Sequence, residues 1–344
     1  MSDSATAPAT SILSAAEIVM LAQRALLTAG ASPAAAASLA QAIAAAEAEG
    51  LASHGLAYLP TYCTHLRCGK VIATAVPQVT RPRPGLITVD AGSGFAHPAI
   101  DAGFAALIPA AREQGIAALA IHNSYNCGVL GYHTDRLAMA GLLGLGFTHA
   151  PASIAPVGGL RPVVGTNPIA IAVPDGQGGV ALSIDQSASV IAKSEIMRRK
   201  RVGETIPEGW AFGPDGEATT DPAVALQGTM APSGGYKGVG IALLVEILAA
   251  AASGAVLSTE ASPFSGTAGG PPRTGQFFIA IDAGATSDGS FAASILRLIG
   301  SIEDQPNGRV PGAKRAAMRR RSRDQGIAIR RDLLAEIEAL TSGD

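Results

Sequence analysis

Cysteine is scarce in this sequence, and three copies in 344 residues do not make a disulfide framework. Cys63 and Cys68 are not spaced as in a zinc knuckle, and no His, Cys, Asp or Glu cluster has metal-ligand spacing. We therefore expect no metal, and a reducing cytoplasm is the simplest setting. The segment Met1-Ser2-Asp3-Ser4 lacks the basic and apolar pattern of a signal peptide.

Charged and aromatic residues are also few, at 15% and 4% of the chain. The net charge of −2 gives no electrostatic footprint for nucleic acid. Hydrophobic residues reach 48%, which excludes a disordered chain and indicates a core of Ala, Leu, Ile and Val. The longest apolar run, Gly238 to Val256, contains Glu246 and glycines, so it predicts a buried helix rather than a membrane span.

The common nucleotide-binding and hydrolase motifs are missing. Neither GxxxxGK[ST] nor GxSxG occurs, and the segment from Gly92 to His97 lacks the third glycine of GxGxxG. A Rossmann fingerprint is therefore unsupported, and a bound dinucleotide would need another backbone arrangement.

Clear helix signals stand near the N-terminus, after residues 1–12, which we expect to be a loose tail. Ser14 and Glu17 form a capping box, and Ser32-Pro33 opens a second helix that runs to about Glu49. Gly50 is placed to end it in a left-handed conformation. The acids Glu47 and Glu49 oppose the dipole of this helix, which suggests a nearby cation or ligand.

Strands and helices then mix without strict alternation, which favours an α/β fold but not a plain parallel sheet. Strands are predicted near 86–90, 116–121, 142–148, 169–173, 180–184 and 276–281. Helices are predicted near 58–69, 98–115, 193–201, 237–252, 290–301, 312–325 and 333–340.

Two residues are candidates for proton chemistry. His54 follows a helix end between a hydroxyl and a glycine, where it could exchange a proton near neutral pH or simply cap the helix. Asp185 ends an apolar strand, where it could orient a histidine or merely form a turn.

Four further stretches could bind anions. Residues 123–132 follow a strand and open a helix, and Lys237 precedes another helix. The stretch from Arg309 to Arg315 puts basic side chains at a helix start, and Gly165-Thr166-Asn167-Pro168 could bind a carboxylate or carbonyl. Taken alone, residues 123–132 are better explained as an ordinary strand-to-helix loop, and the other stretches can equally be turns or solvated helix ends.

Together these stretches resemble the malate/L-lactate dehydrogenase-like family of NAD(P)-dependent oxidoreductases, which is distinct from the Rossmann enzymes of similar name. The matching segments run in order over about residues 14–340: 53–55, 123–133, 155–159, 165–168, Asp185, 206–210, 220–222, 234–238 and 311–312. Within the family, segments 131–133, 260–264 and 270–276 are most similar to the branch that reduces Δ1-piperideine-2-carboxylate and Δ1-pyrroline-2-carboxylate.

The resemblance implies that NADPH, or NADH, reduces a cyclic imine 2-carboxylate to L-proline or L-pipecolate. One alternative is NAD-dependent oxidation of a 2-hydroxy acid such as malate or lactate. Another, from a different class, is a divergent homologue that binds a dinucleotide without catalysis. The family also implies a homodimer that acts on a small molecule, with no nucleic-acid or membrane partner.

The resemblance also assigns roles to residues of this sequence. His54 is the implied proton donor, with Ser53 and Asp185 as its relay. The implied substrate-binding residues are Tyr58, Thr166 and Lys193. The implied cofactor-binding residues are Asn126, Cys127, Gly128, Val129, Leu130, Ser183, Ile184, Tyr236, Lys237, Gly312, Ala313, Lys314, Arg315 and Met318, and the cations Lys314, Arg315 and Arg319 could meet a 2′-phosphate.

The sequence departs from the branch at three places. It has Tyr58 where an arginine is usual, and Asn126-Cys127 where His-Phe is usual. It has Lys193-Ser194-Glu195 in place of Arg-Gly-Lys. These differences concern the substrate and leave His54 and Asp185 in place.

The implied architecture is a mixed α/β fold with a non-Rossmann cofactor domain, whose sheet is largely mixed or antiparallel. A helical domain is expected from both chain ends, with residues 1–75 packing against 305–344. Residues 76–304 are expected to bind cofactor and substrate, and to include a small subdomain near 190–230.

Overall fold

The computed structural model describes residues 9–342, which form a mixed α/β protein. The helices in this range are α1 (Ala15–Thr28), α2 (Pro33–Ala48), α3 (Leu59–Arg67), α4 (Ala96–Gln114), α5 (Leu130–Met139), α6 (Lys193–Val202), α7 (Pro222–Ala225), α8 (Tyr236–Glu246), α9 (Ala283–Thr286), α10 (Phe291–Glu303), α11 (Ala313–Gln325) and α12 (Arg331–Thr341). The strands are β1 (Thr10–Leu13), β2 (Gln78–Arg83), β3 (Leu86–Asp90), β4 (Ile116–Ser124), β5 (Leu143–Thr148), β6 (Ile169–Pro174), β7 (Val180–Gln186), β8 (Ala211–Phe212), β9 (Thr229–Met230), β10 (Thr274–Ile281) and β11 (Ile327–Arg330).

The chain divides into two compact units. Unit 1 contains the residues up to Gly69 together with those from Ala313 onward, and unit 2 is the continuous segment Lys70–Gly312. These divisions fall at 69/70 and 312/313, and the division at 75/76 and 304/305 expected from the sequence stays a prediction. Unit 1 is mainly helical and contains both ends of the described chain.

Unit 1 shows why its first two helices begin where they do. The Ser14 side chain accepts a hydrogen bond from the Glu17 amide, and the Glu17 carboxylate accepts one from the Ser14 amide at 2.7 Å. Ser32 caps α2, Pro33 occupies its first turn, and Gly50 follows its end with φ +74°. These features confirm the predicted capping box, helix start and left-handed end. Within this unit α1 packs against α2, α3 and α12, and α11 packs against α2.

The expected N-terminal tail is wrong for residues 10–12, whereas residues 1–8 lie outside the described range. Thr10–Leu13 form β1, which pairs antiparallel with β11. This two-stranded sheet joins the first and last parts of the described chain. The strand is only four residues long, and its partner lies at the far end of the sequence. The local sequence pattern therefore does not indicate a strand, which explains the error.

Unit 2 is built on a seven-stranded sheet with the order β2-β3-β4-β10-β5-β6-β7. Only β3 and β4 are parallel, and α4 is the crossover helix between them. Every other neighbouring pair in this sheet is antiparallel. The predicted mixed, largely antiparallel sheet is therefore confirmed.

The two faces of this sheet bury different sets of apolar side chains. Along β10, Phe278 joins the cluster that includes Leu119 of β4 and residues of α4 and α5. Its neighbours Phe277 and Ile279 join a second cluster with Val245 of α8. This alternation follows from the two-residue period of a strand, and it covers both faces with helices.

The apolar run from Gly238 to Val256 is not the fully buried helix expected from the sequence. It continues α8 through one π-helical turn, Ile247–Ala251. Val245 and Ala249 are buried, but Leu243, Leu244 and Ile247 are exposed, the last by 58%. A run that is apolar all round carries no periodicity to show which side is covered. No helix among residues 9–342 has the length and apolar character needed to cross a membrane.

Residues 193–230 belong to unit 2, and they share a core cluster with α8. Ile196, Ile206, Ala225 and Met230 pack in this cluster with Val239. The separate small subdomain near 190–230 stays a prediction.

Candidate active site

His54 lies on a tight turn in unit 1. Ala52–His54 form one 3-10 turn, Leu56–Tyr58 form a second, and Gly55 lies between them. The His54 amide donates to the Leu51 carbonyl at 2.8 Å. Ser53 Oγ lies 3.1 Å from His54 Nδ1, and the imidazole is half-buried. When the ring is protonated, Nδ1–H can donate to this hydroxyl, and the proton on Nε2 is then the one that can be given away.

Glu47 supports this turn from α2. Its carboxylate is buried and accepts a hydrogen bond from the Leu56 amide at 2.7 Å. Burial raises the pKa of the Glu47 carboxyl, although the bond from Leu56 acts in the opposite direction. The sequence shows only that Glu47 opposes the dipole of α2. It does not show the hydrogen bond with the Leu56 amide, which holds the turn that carries His54.

Tyr58 ends the second turn and is held by an aromatic neighbour. Its ring lies 4.7 Å from the ring of Tyr62, edge to face, and Tyr62 is buried. Tyr58 is half-buried beside His54 in the chain, so it remains a candidate for substrate binding.

The predicted cofactor residues Ala313, Lys314, Arg315 and Met318 lie on the first turns of α11 in unit 1. A Cβ added at Gly50 would lie 3.7 Å from Met318 Cγ, so this helix packs closely on the end of α2. Arg319 donates from Nη1 to Glu49 Oε1 at 2.6 Å, and the Glu49 side chain is 7% exposed. The cation suggested by the unfavourable position of Glu49 is therefore Arg319, which is already occupied by this ion pair.

Asp185 lies at the end of β7 in unit 2, where it binds the start of another helix. Its Oδ2 accepts a hydrogen bond from the Gly131 amide at 2.9 Å, so the carboxylate stabilises the N-terminal turn of α5. The sequence did not reveal the part played by Gly131. The relay between Asp185 and His54 stays a prediction.

The loop before α5 contains four predicted cofactor residues, and a fifth, Leu130, begins the helix. Gly128 donates its amide to Asn126 Oδ1 at 3.2 Å and has φ +66°, so it turns the chain into the helix. Cys127, Val129 and Leu130 are buried. Burial raises the pKa of the Cys127 thiol to about 12, so this thiol is an inert part of the core. Only the backbone of these buried residues is suited to contact a phosphate.

Ser183 and Ile184 are next to Asp185 on β7, and Ser183 meets Gly312. The Ser183 amide donates to the Pro311 carbonyl at 3.2 Å. Gly312 has φ +87°, and a Cβ there would lie 3.1 Å from the Ser183 Cβ. The predicted cofactor residues Ser183 and Gly312 are thus brought together, and Asp185 adds the start of α5 to the same part of unit 2.

Thr166 occupies a turn that is held by hydrogen bonds to neighbouring parts of unit 2. Its carbonyl accepts the Ala188 amide at 2.8 Å, which ties the turn to the chain just after β7. Asn167 is fully buried with φ +35°, and its Nδ2 donates to Glu246 Oε2 at 2.9 Å. Glu246 also accepts from the Ser258 amide at 2.7 Å and from the Ser258 hydroxyl. Glu246 was not identified as a site residue from the sequence.

Lys193 begins α6, and its ammonium lies 3.4 Å from Ser153 Oγ. The residue is exposed overall, and partial desolvation lowers the pKa of Lys193. A partly desolvated cation suits an anionic group of a substrate.

The start of α8 has the features of a phosphate site. Tyr236 and Lys237 are exposed at its first turn, and no side chain caps this end. A Cβ added at Gly234 or Gly235 would meet nothing within 4 Å, so there is room in front of the helix amides. Free amides, a helix dipole and a lysine fit the pyrophosphate of a dinucleotide.

The predicted site residues divide between the units. His54, Ser53, Tyr58 and the α11 residues belong to unit 1, and the others belong to unit 2. Within residues 9–342, no group of three or more His, Cys, Asp or Glu side chains could hold a metal ion.

Comparison with known proteins identifies the family. The family model for malate/L-lactate dehydrogenase matches residues 13–338, which is nearly the whole chain. The chain belongs to this family. The resemblance inferred from the sequence motifs is confirmed, and so is the expectation of an oxidoreductase.

Named members of the malate/L-lactate dehydrogenase family include close relatives of this chain. A Δ1-pyrroline-2-carboxylate reductase of Ancylobacter novellus is 40% identical over 331 residues, covering 95% of this chain and 97% of the relative. A (2R)-3-sulfolactate dehydrogenase (NADP+) of Chromohalobacter salexigens is 42% identical over 294 residues, covering 86% and 87%. The crystal structure of Δ1-piperideine-2-carboxylate reductase from Pseudomonas syringae pv. tomato superposes with a TM-score of 0.91 at 33% identity, covering 96% and 100%.

Proposed function

We propose that this protein reduces a cyclic imine 2-carboxylate, Δ1-pyrroline-2-carboxylate or Δ1-piperideine-2-carboxylate, to L-proline or L-pipecolate. The observation that carries this proposal is the contact between Ser53 and His54 on a glycine-bounded turn. It occurs in a chain whose relatives at 40% and 33% identity are named as reductases of these two imines.

Each part of the reaction has a candidate group. The nicotinamide cofactor supplies a hydride to the imine carbon when it is bound. In its protonated form His54 gives its Nε2 proton to the imine nitrogen and becomes neutral, while its Nδ1–H donates to the Ser53 hydroxyl and keeps the ring oriented. One hydride and one proton convert the C=N bond into the amine. Thr166, Tyr58 and Lys193 are the candidates for holding the substrate, with Lys193 suited to its carboxylate.

We propose that NADPH is the preferred cofactor, with its pyrophosphate at the start of α8 beside Tyr236 and Lys237. Lys314 and Arg315, on the first turn of α11, are the candidates for a 2′-phosphate, and Arg319 lies one turn farther along the same helix in an ion pair with Glu49. Arg315→Ala should weaken NADPH binding at least tenfold and leave the Kd of NADH unchanged, as fluorescence titration would show. Arg321→Ala, on the exposed part of the same helix, is the matched control. Equal Kd ratios in both variants would contradict this assignment.

The test of the function is NADPH consumption with each imine, followed by the loss of nicotinamide absorbance. Wild-type protein should turn over, and His54→Ala should lose at least about 100-fold in kcat while still binding NADPH. His122→Gln, another half-buried histidine, is the matched control and should keep its activity. NADPH binding without consumption of either imine would refute the imine reductase proposal.

A second candidate is oxidation of a 2-hydroxy acid, with His54 accepting the hydroxyl proton. The relative that favours it is the sulfolactate dehydrogenase, at 42% identity. The ammonium of Lys193, beside Ser153, would suit a sulfonate as well as a carboxylate. Growth of NADPH absorbance with NADP+ and (2R)-3-sulfolactate, L-malate or L-lactate, and no turnover of imines, would select this function.

We also propose a cytoplasmic homodimer. The cysteines are unpaired thiols, as expected of a reducing compartment. Apolar side chains stand exposed on two helices of unit 2, with Leu296 of α10 exposed by 68% and Ile247 by 58%, which suits a subunit interface. Light scattering should give twice the mass of one chain, and Leu296→Glu with Ile247→Glu should halve it. A wild-type monomer would rule the dimer out.

A further inference from the structure

Glu47 fastens both ends of the segment that carries His54. Its backbone carbonyl accepts the Gly50 amide at 2.9 Å, which closes the end of α2. Its side chain accepts a hydrogen bond at 2.7 Å from the amide of Leu56, nine residues farther along the chain. One residue therefore fixes the chain on either side of Ser53 and His54.

Gly55 is shaped to receive the carboxylate of Glu47. A Cβ at position 55 would collide with Glu47 Oε1 and would lie only 2.6 Å from Glu47 Cδ. Gly55 has φ −97° and ψ −138°, outside the main regions open to residues with a side chain, so this position favours glycine for its conformation as well as for space. The missing side chain lets the carboxylate reach the backbone directly after His54.

Hydrogen bonds and burial in the rest of the segment fix the position of the His54 imidazole. Leu56 is fully buried, so the amide that Glu47 holds cannot turn to water. His54 is two residues away, and its own amide is bonded to the Leu51 carbonyl. The segment has little freedom between these points, and the ring position follows from it.

We infer that Glu47 is the positioning residue for His54, acting through the Leu56 amide and the space left by Gly55. This inference rests on the proposed function, in which His54 gives a proton to the substrate. Glu47 does not touch the reacting atoms in this account. Its effect comes from orientation, and a displacement of about 1 Å can cost on the order of 100-fold in rate.

The test compares Glu47→Gln, which keeps an oxygen acceptor, with Glu47→Ala, which does not. With NADPH and the active substrate, Glu47→Ala should lower kcat about 10- to 100-fold, with KM and the Kd of NADPH within about threefold of wild type. Glu47→Gln should restore kcat to within about threefold. Ser14→Ala removes the cap of α1 in the same unit, so it should lower Tm and leave kcat unchanged.

A double-mutant cycle measures separately how the contact between Glu47 and Gly55 affects kcat. Gly55→Ala should lower kcat about tenfold in the wild type, because the new methyl meets Glu47. The same change in Glu47→Ala should cost less than about threefold, since the opposing carboxylate is gone. Equal losses in both backgrounds would overturn the inference, and so would an unchanged kcat in Glu47→Ala.

Histidine-ring NMR, with the His54 signal assigned from His54→Gln, separates this inference from the proposed function. The His54 resonances should move in Glu47→Ala and stay in place in Glu47→Gln. If wild-type protein turns over neither an imine nor a 2-hydroxy acid, the proposed function fails and the NMR result alone decides the role of Glu47. Resonances that coincide with wild type in both variants would overturn that role.

Discussion

Buried and half-buried carboxylates organise the backbone near the candidate site residues within each unit. Glu47 binds the Leu56 amide, Asp185 binds the Gly131 amide, and Glu246 binds Asn167 and Ser258. A carboxylate away from water needs fixed donors, and each donor it takes up is a backbone or side-chain group held in one place. In this protein the donors lie in the turns that present His54, the start of α5 and Thr166.

Glu246 is the acceptor whose removal should destabilise the protein most clearly among these carboxylates. Glu246→Ala leaves the donors of Asn167 and Ser258 buried without their acceptor, and should lower the free energy of unfolding by about 3–5 kcal/mol. Glu246→Gln should lose less, because one oxygen remains. Urea unfolding measures both changes.

The control for Glu246 is Glu260→Ala, which removes an exposed carboxylate that binds only the nearby Leu257 amide. Its cost should stay below about 1 kcal/mol. A Glu246→Ala variant as stable as this control would show that the buried network adds nothing.

Part of the site was visible in single residues of the sequence. The motif around His54 and the helix end at Gly50 are local patterns, and the structure has the predicted conformation at Gly50. The partners of the carboxylates were not visible, because Asp185 and Gly131, or Asn167 and Glu246, are brought together only by the fold. For Glu47 the sequence showed the electrostatic conflict with α2 but not the amide that resolves it.

Helix α5 lies unusually close to strand β5, because the strand has glycines on that face. A Cβ at Gly144 would lie 2.8 Å from Leu137 Cβ and 3.0 Å from the Thr134 carbonyl. A Cβ at Gly146 would lie 2.8 Å from Thr134 Cγ2. The glycines thus set the distance of α5 from the sheet, and with it the position of the loop 126–129 that leads into the helix.

Gly144→Ala should push α5 away from the sheet and cost about 1–3 kcal/mol of stability. We also expect a weaker Kd for NADPH, since the loop before α5 moves with the helix. Thermal unfolding and fluorescence titration measure the two effects. Gly300→Ala in α10 is the matched control, because a Cβ there meets nothing within 4 Å. This change should raise the free energy of unfolding by up to about 1 kcal/mol, since alanine favours a helix more than glycine does. Equal Tm values for the two variants would contradict this account.

The sequence predicted the helices and strands that have a local pattern, such as a helix cap or an apolar run. Capped helices such as α1 and α2, and apolar strands such as β4, were found near their observed bounds. Strands β1 and β11 were missed, because each is four residues long and is defined by the other. The exposed side of α8 was missed as well, because it depends on which neighbours the fold supplies.

The stability of the whole molecule should respond to acid through two histidines in the core of unit 2. The rings of His97 and His133 lie 5.4 Å apart, and both are buried. Burial lowers the pKa of His97 to about 4, and burial together with His97 holds the pKa of His133 well below its usual range. The folded state therefore favours the neutral rings.

A histidine with a lowered folded-state pKa stabilises the fold above its unfolded value of about 6.5 and loses this contribution as the pH falls. For His97 the loss should extend from about pH 6.5 to about pH 4, at roughly 1.4 kcal/mol per pH unit. Urea unfolding across this range should show a shallower fall for His97→Gln than for wild type. Parallel curves would mean that His97 is not protonated on unfolding in this window.

The pairing of β1 with β11 has a consequence for synthesis on the ribosome. Residues 10–13 leave the ribosome roughly 300 residues before their partner strand, an interval of about 15–60 s at typical elongation rates. During that time unit 2, a continuous segment, can fold while α1–α3 still lack α12. The apolar side of α1 that later packs on α12 is exposed throughout this interval, which makes the nascent chain a natural client for a chaperone that shields early helices.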